Sequence, residues 1–205
     1  MYIPKLFHES SWPEIRKVIE ENSFATVITC NAGLPTATHV PLRLLESATG
    51  TAKLQGHMSR ANPHWRLFEQ EQQSLVIFSG PNAYVSARWY DHVNVPTWNY
   101  IAVHVYGKAQ LVTDAGEMHE LIKGLVDRYE RGLYTVESLP EDFLGPQMKG
   151  IVGFEISVDE VQASFKLSQN RDQKNYDNVI TELRKSDDTK AQDVAQIMAS
   201  RRCPR

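Results

Sequence analysis

The densest group of polar side chains in the sequence is the segment GHMSRANPHW at residues 56–65. The segment falls where a predicted strand ends and a predicted short helix begins. Ser59 is placed to cap that helix, and the free backbone N–H groups of its first turn, together with Arg60, would form a compact anion site. A phosphate monoester suits such a site, because arginine offers a bidentate fork and serine a short hydroxyl contact. The alternative is that Ser59 only caps the helix and that Arg60 is solvated.

A second cluster combines large aromatic side chains with short polar ones. It consists of the segments GPNAYVSARWY (80–90) and NVPTWNY (94–100). Aromatic rings with polar tips pack well against a flat conjugated ligand or against a partner subunit. An ordinary aromatic core is the competing interpretation, and the sequence leaves both open.

The segment FKLSQNR at residues 165–171 is a polar loop that follows a predicted strand. Gln169 and Asn170 could hydrogen-bond the polar edge of a heterocycle, and Lys166 could balance an anionic form of it. The loop could equally satisfy only its own backbone groups.

Several kinds of catalytic and metal chemistry lack support in the sequence. Three histidines, His39, His57 and His104, lie on predicted strands, but no HExxH spacing marks a metal site. Cys30 and Cys203 are far apart and form neither a disulfide framework nor a zinc pair. No close pair of carboxylates indicates a general acid with its base, and no GxGxxG or P-loop motif follows a strand. We therefore predict no catalytic residue and no metal ligand.

The composition is that of an ordinary globular protein. The chain has 205 residues, with 22 Lys+Arg against 25 Asp+Glu and a formal charge of −3. This charge gives no overall attraction to phosphate backbones or anionic membranes. No apolar run approaches the roughly 18 residues of a membrane span, and the N-terminal segment is too polar for a signal peptide. We expect a cytoplasmic protein that makes no membrane contact.

The elements that would position these residues are mostly strands. Helical periodicity predicts one helix from Ser11 to about Asn22, another from Asp114, and two in the tail, the last capped near Asp188. Strands are predicted at 24–30, 36–45, 51–58, 75–78, 83–86, 98–112 and 151–161. A block of strands joined by short turns indicates an antiparallel sheet or barrel with helices on its outside.

The strand predicted at 98–112 has two largely apolar faces. Trp98, Tyr100 and His104 lie on one face, and Ile101 and Val103 lie on the other. Both faces therefore need a cover, which one chain of this length does not readily provide. We expect a homodimer.

The sequence resembles the PaiB family of bacterial FMN-binding negative transcriptional regulators. The similarity runs in order along nearly the whole chain. It is carried by THVPL (38–42), GHMSRANPHW (56–65), GPNAYVSARWY (80–90), VPTWNYIAVHVYGKA (95–109) and FKLSQNR (165–171). The resemblance implies a mainly β (α+β) fold, the antiparallel FMN-binding split β-barrel with peripheral helices, which dimerises with each FMN in the crevice between the subunits.

The resemblance also implies which residues would bind FMN. Ser59 and Arg60 fall where split barrels hold the flavin phosphate, and Asn62 would cap or assist. Other residues would line the flavin from the same subunit: Thr38, His39, His57 and Met58. Walls contributed by the dimer partner would be Trp98 and the loop from Lys166 to Gln169.

The resemblance implies a cytoplasmic regulator that binds FMN and represses transcription, acting on DNA directly or through a partner. However, no helix-turn-helix with a basic recognition face is evident, and the tail helices carry about as many acidic as basic residues. The alternative is an FMN-dependent oxidoreductase, or a haem-degrading enzyme on the same barrel. A third alternative is a barrel that dimerises without a cofactor. We expect one domain over residues 1–205, with a helical extension at about 172–205.

Overall fold

The structure of the protein is a computed structural model that describes residues 1–48, 50–70 and 72–201. Cys203 lies outside the described residues. The strands are β1 (His8–Glu9), β2 (Phe24–Asn31), β3 (Leu34–Pro41), β4 (Arg43–Glu46), β5 (Ala52–Ser59), β6 (Gln73–Val85), β7 (Thr97–Val112), β8 (Ile151–Ser157) and β9 (Glu160–Lys166). The α-helices are α1 (Trp12–Glu21), α2 (Ala115–Glu130), α3 (Glu141–Lys149), α4 (Gln173–Arg184) and α5 (Thr189–Ser200). Short 3-10 helices lie at Lys5–Phe7, Pro63–Gln70, Ala87–Trp89 and Val136–Ser138.

The chain divides into two compact units. The smaller unit contains residues 1–21, 79–103 and the C-terminal part from residue 162, and the larger unit contains residues 22–78 and 104–161. The long strands β6 and β7 contribute residues to both units.

The larger unit is built from antiparallel strand pairs. Strand β2 pairs with β3 and with β6, strand β5 pairs with β4 and with β8, and β8 also pairs with β7. On β2, the buried residues Ala25 and Val27 alternate with more exposed neighbours, as expected for a strand with one core face. Helix α2 packs closely on β8, because a Cβ added at Gly153 would lie 2.6 Å from the Met118 sulfur.

Helix α2 begins where the sequence predicts. The Asp114 carboxylate accepts hydrogen bonds from the backbone N–H groups of Gly116 and Glu117, both at 2.9 Å, so it is the N-cap. The helix buries Met118, Leu121 and Leu125, which form the predicted apolar stripe.

The smaller unit holds the two tail helices. The helices α4 and α5 contact each other and bury Val179, Leu183, Val194 and Met198. Asp188 caps α5 by accepting from the Lys190 N–H at 2.9 Å, which confirms the predicted cap. Strand β1 pairs with β9 in the same unit.

Some predicted elements differ from the structure in their bounds. The predicted strand 36–45 is two strands separated at Leu42, and the predicted strand 151–161 is likewise divided between β8 and β9. The predicted strands 75–78 and 83–86 are instead one continuous strand, β6, that runs through Gly80 and Pro81. Helix α3 was not expected, since its sequence contains Pro146. Pro146 removes one backbone hydrogen bond from α3, and Met148 of this helix packs on the cluster of Met118, Leu121 and Leu125.

The sequence predicts that both faces of β7 are buried, but within one chain only one face is fully buried. Ile101, Val103 and Val105 are buried, whereas Tyr100 and His104, on the opposite face, are half-buried. In the described residues, no helix is long and apolar enough to cross a membrane.

Candidate functional site

Three polar side chains of the larger unit meet between β3 and the 3-10 helix Pro63–Gln70. The Thr38 hydroxyl lies 2.8 Å from His64 Nδ1. The Asn62 side-chain amide donates to the Thr38 hydroxyl oxygen at 3.1 Å. The His64 backbone N–H donates to the Asn62 side-chain oxygen at 3.0 Å. These three residues, called the polar triad below, form one connected hydrogen-bonded group.

The local sequence explains why the triad forms. Thr38 pairs with Val27, whose side chain is fully buried, so the Thr38 side chain is on the core side of β3. Pro63 occupies the first helical position, where its missing N–H costs nothing, and Asn62 immediately before it is the helix cap. The prediction that Ser59 caps this helix is therefore wrong, because the helix begins four residues later.

His64 is a buried, neutral member of the triad. It is 1% exposed, and its ring lies 5.2 Å from the ring of Phe68, which in turn lies 5.1 Å from that of Phe154. This burial lowers the pKa of His64, since the apolar surroundings disfavour the imidazolium. Its Nε2 atom is buried and has no hydrogen-bond partner among the described residues.

Arg60 is held in place by the start of β8. Its Nε donates to the Lys149 carbonyl at 2.8 Å, and its Nη2 donates to the Ile151 carbonyl at 2.9 Å. The Arg60 backbone N–H donates to the Gly150 carbonyl at 2.9 Å. One side of the guanidinium is thus committed to the protein, and Nη1 has no hydrogen bond within the described part of the chain.

The backbone N–H groups of this turn are not free, contrary to expectation. The Ala61 N–H donates to the Ser59 hydroxyl oxygen at 3.2 Å, and the Asn62 N–H donates to the Ser59 carbonyl at 3.0 Å. An anion would instead meet the Ser59 hydroxyl proton and Arg60 Nη1. Trp65 supports the turn, because its indole N–H donates to the Arg60 carbonyl at 3.0 Å.

Strand alternation separates other predicted site residues. His39 follows Thr38 directly, so it projects from the opposite face of β3, where it is exposed and stacks on Phe24 at 6.2 Å. On β5, Met58 is 4% exposed and belongs to the core. His57, its neighbour, pairs with Gly153, the residue on which α2 packs.

Burial lowers the pKa of His57, so its imidazole is favoured in the neutral form. Its Nδ1 atom is buried without a hydrogen-bond partner in the described residues. His57 and Met58 therefore occupy different environments, and neither belongs to the polar triad.

The predicted partner-side residues lie in the smaller unit. Lys166 donates to the Thr97 hydroxyl at 2.6 Å. The Trp98 indole N–H donates to the Asn82 side-chain oxygen at 3.2 Å, and the indole is half-exposed. Lys166 therefore contacts Thr97, which directly precedes Trp98.

The Gln169 amide is engaged by its own loop. Its oxygen accepts from the Leu167 N–H at 2.7 Å, and its nitrogen donates to the Phe165 carbonyl. Next to it, Ser168 is in the left-handed backbone region (φ 62°) and is buried against Asn99, with a hydrogen bond of 2.9 Å. The Gln169 side chain therefore follows the alternative in which the loop satisfies its own backbone groups.

The described residues contain no group of three or more His, Cys, Asp or Glu side chains arranged to hold a metal ion.

Comparison with known proteins identifies the family. Residues 1–160 match the model of a family described as "Putative FMN-binding domain". The chain is 42% identical over 201 residues to the protease synthase and sporulation protein PAI 2 of Bacillus subtilis. The aligned region covers 97% of this chain and 96% of that protein. The chain belongs to the PaiB family. The predicted membership and the predicted cofactor, FMN, are thereby confirmed.

Solved structures confirm the predicted fold class of this PaiB-family chain. The flavocytochrome Anf3 of Azotobacter vinelandii superimposes with a TM-score of 0.67 at 17% identity, covering 86% of this chain and 78% of that one. An FAD- and heme-binding protein of Mycobacterium smegmatis gives a TM-score of 0.63 at 15% identity, covering 82% and 78%. The fold is the mainly β, antiparallel split barrel with peripheral helices.

The side chains around the Ser59–Arg60 turn fit the phosphate of FMN. A hydroxyl and a guanidinium that is fixed on one side and free on the other are donors suited to phosphate oxygens. The Arg66 guanidinium carbon lies 5.0 Å from the centroid of the Trp65 ring, a cation–π contact. FMN, when bound, would supply the redox chemistry of its ring.

His64 is the residue of the site that sequence reasoning missed. It lies within the segment GHMSRANPHW but was not assigned to the site. Its ring lies 5.2 Å from that of Phe68, and both residues are buried on the 3-10 helix Pro63–Gln70. The position of Asn62 directly before Pro63 is the signal present in the sequence, because it marks the start of this helix.

Proposed function

We propose that the protein binds FMN with the phosphate at Ser59 and Arg60 and acts as a cytoplasmic, PaiB-like negative regulator of transcription. The observation that carries the FMN proposal is the geometry of Arg60. Two backbone carbonyls orient its guanidinium, so Nη1 is presented to a ligand at little entropic cost. A wholly solvated arginine would make neither bond.

The polar triad is the second part of the proposed site. Asn62 follows the phosphate-binding turn by two residues, and its amide is tied to the Thr38 hydroxyl. We infer that Thr38 and Asn62 contact the flavin from one subunit. Trp98, Lys166 and Gln169 would approach it from a second copy, in a homodimer that also covers the half-buried face of β7.

The test of the FMN proposal compares two ligands that differ by one phosphate. We expect the protein to take up FMN stoichiometrically, seen in the visible absorption spectrum. In Arg60→Ala, FMN binding should weaken by about 10- to 150-fold, since a charge-assisted contact of roughly 1.5–3 kcal/mol is lost. Riboflavin, which lacks the phosphate, should bind wild type and variant equally.

The control variant is Arg184→Ala, because Arg184 is an exposed arginine at the end of α4 and lies in the other unit from Arg60. Its FMN affinity should equal that of wild type. If Arg60→Ala weakens riboflavin as much as FMN, then Arg60 only maintains the fold of the turn. If it weakens neither, the phosphate binds elsewhere.

The proposed regulatory role rests on family membership. The protein would act on DNA either directly or through a partner. A formal charge of −3 and tail helices of balanced charge favour an indirect action. Fluorescence anisotropy with promoter DNA, at a stated salt concentration and with and without FMN, separates the two routes. Strong direct binding with a steep salt dependence would overturn the indirect route.

A second candidate function is an FMN-dependent oxidoreductase or a haem-degrading flavoprotein-like enzyme. The observation that favours it is the superposition on a flavocytochrome and on an FAD- and heme-binding protein. Turnover of NAD(P)H with an electron acceptor, together with a haem titration followed by absorbance, tests this candidate. If the FMN-loaded protein neither turns over NAD(P)H nor binds haem, this second candidate function is rejected.

A further inference from the structure

A pocket of about 440 Å³ in the smaller unit is not part of the proposed FMN phosphate site. It opens between the ends of β6 and β7 and the loop that joins α4 to α5. Its volume is within the usual range for small-molecule sites. Three aromatic residues line it: Tyr84, Trp89 and Trp98.

The aromatic walls are exposed but held in place. Tyr84 is 50% exposed and Trp98 is 49% exposed, so both rings present a face to solvent. Their centroids are 6.0 Å apart and their planes are inclined by 61°, so the two rings form a corner. Asn82 fixes the Trp98 indole by accepting its N–H. The Trp89 carbonyl accepts from the Asn178 side chain at 3.1 Å, which anchors the third wall.

The charges that line the pocket leave one negative charge unpaired. Glu182 and Lys185 form an ion pair at 2.5 Å and neutralise each other. Asp188 uses one carboxylate oxygen to cap α5 through the Lys190 N–H, and within the described part of the chain no cationic group lies within ion-pair distance of it. The pocket therefore combines aromatic faces, which are electron-rich, with one carboxylate that forms no ion pair within the described part of the chain.

We propose that this pocket binds a small organic ammonium ion. Aromatic faces attract such a cation through their quadrupoles, and a methylated or alkylated ammonium is less costly to desolvate than a metal ion. Asp188 adds attraction for a positive charge and disfavours anions, including phosphate esters. The proposal uses the part of Trp98 that lines this pocket. Because Trp98 is also a proposed flavin wall, the tests are made with FMN bound.

The first test compares two probes of nearly equal shape and different charge. Choline and 3,3-dimethylbutan-1-ol differ in having a quaternary nitrogen or a quaternary carbon. Binding to the FMN-saturated protein is followed by calorimetry and by tryptophan fluorescence. We expect choline to bind at least about tenfold more tightly than the neutral alcohol. Equal binding of both probes, or no choline binding at all, would overturn the proposal.

Variants then assign the binding to this pocket. Asp188→Asn retains the helix cap, because asparagine caps as well as aspartate, and removes only the charge. It should weaken choline binding by about two- to fivefold. Tyr84→Ala should weaken it by about 3- to 30-fold, and Tyr84→Phe, which keeps the ring, should restore it.

The matched control is Asp187→Asn, which changes the same net charge at a neighbouring exposed residue that does not line the pocket. It should leave choline affinity unchanged. Equal losses in Asp187→Asn and Asp188→Asn would show a general charge effect and refute the site. FMN absorbance, recorded in every sample, reports flavin binding separately, so failure of either proposal is seen independently.

Discussion

Replacing Asn62 by alanine removes two interactions of the polar triad at once. The side-chain oxygen that caps the 3-10 helix at 3.0 Å is lost, which costs about 0.5–2 kcal/mol. The side-chain amide that donates to the Thr38 hydroxyl at 3.1 Å is also lost, which costs about 0.5–1.5 kcal/mol. We therefore expect Asn62→Ala to lower the free energy of unfolding by about 1–3.5 kcal/mol.

Chemical denaturation of the protein without FMN measures this loss, with far-UV circular dichroism as the signal. Thr38→Val supplies the second arm of a double-mutant cycle, because valine keeps the shape of threonine and removes the hydroxyl. The double variant should be more stable than the sum of the two single effects predicts, by about 0.5–1.5 kcal/mol. Additive effects would mean that Asn62 and Thr38 do not interact, and a loss below about 0.5 kcal/mol in Asn62→Ala would refute the triad altogether.

Three further predictions concern stability. Burial lowers the pKa of His57 below its usual 6.5, so the unfolded chain takes up the proton first as the pH falls through about 6.5. The free energy of unfolding, measured with urea, should therefore decline from that pH down to the lowered pKa. The decline should be less steep in His57→Gln. Gly107→Ala would place a Cβ 1.7 Å from a backbone carbonyl of β8 and should lower the free energy of unfolding by more than about 3 kcal/mol, measured by thermal unfolding. Gly145→Ala would meet no atom within 4 Å and should leave the stability unchanged or raise it. Arg201→Ala removes ion pairs to two carboxylates, among them the nearly buried Glu9, and should cost about 1–3 kcal/mol; an unchanged melting temperature would show that these pairs contribute nothing.

The elements that local sequence determines were predicted well. Helix α2 follows from the Asp114 cap and the apolar stripe that begins at Met118, and both signals lie within one short segment. The continuity of β6 through Gly80 and Pro81 could not be predicted in this way. Local propensity indicates a turn there, and pairing with other strands decides the outcome.

The anion-binding turn was predicted in position but not in detail. Ser59 and Arg60 lie together at the end of β5, as expected. The bonds from Arg60 to the Lys149 and Ile151 carbonyls join residues about 90 positions apart in the chain. No local pattern encodes such a contact, because it depends on the pairing of β5 with β8.

Strand alternation by itself divides the predicted flavin-lining residues into two sets. Thr38 and His39 are consecutive on one strand, as are His57 and Met58 on another, so the members of each pair must project to opposite faces. A ligand that contacts Thr38 on the core side of β3 reaches His39 only if it wraps around the strand or if a second copy of the chain brings another surface to that face. His39, exposed and stacked on the exposed ring of Phe24, is therefore better placed to contact a partner subunit than to share one ligand surface with Thr38.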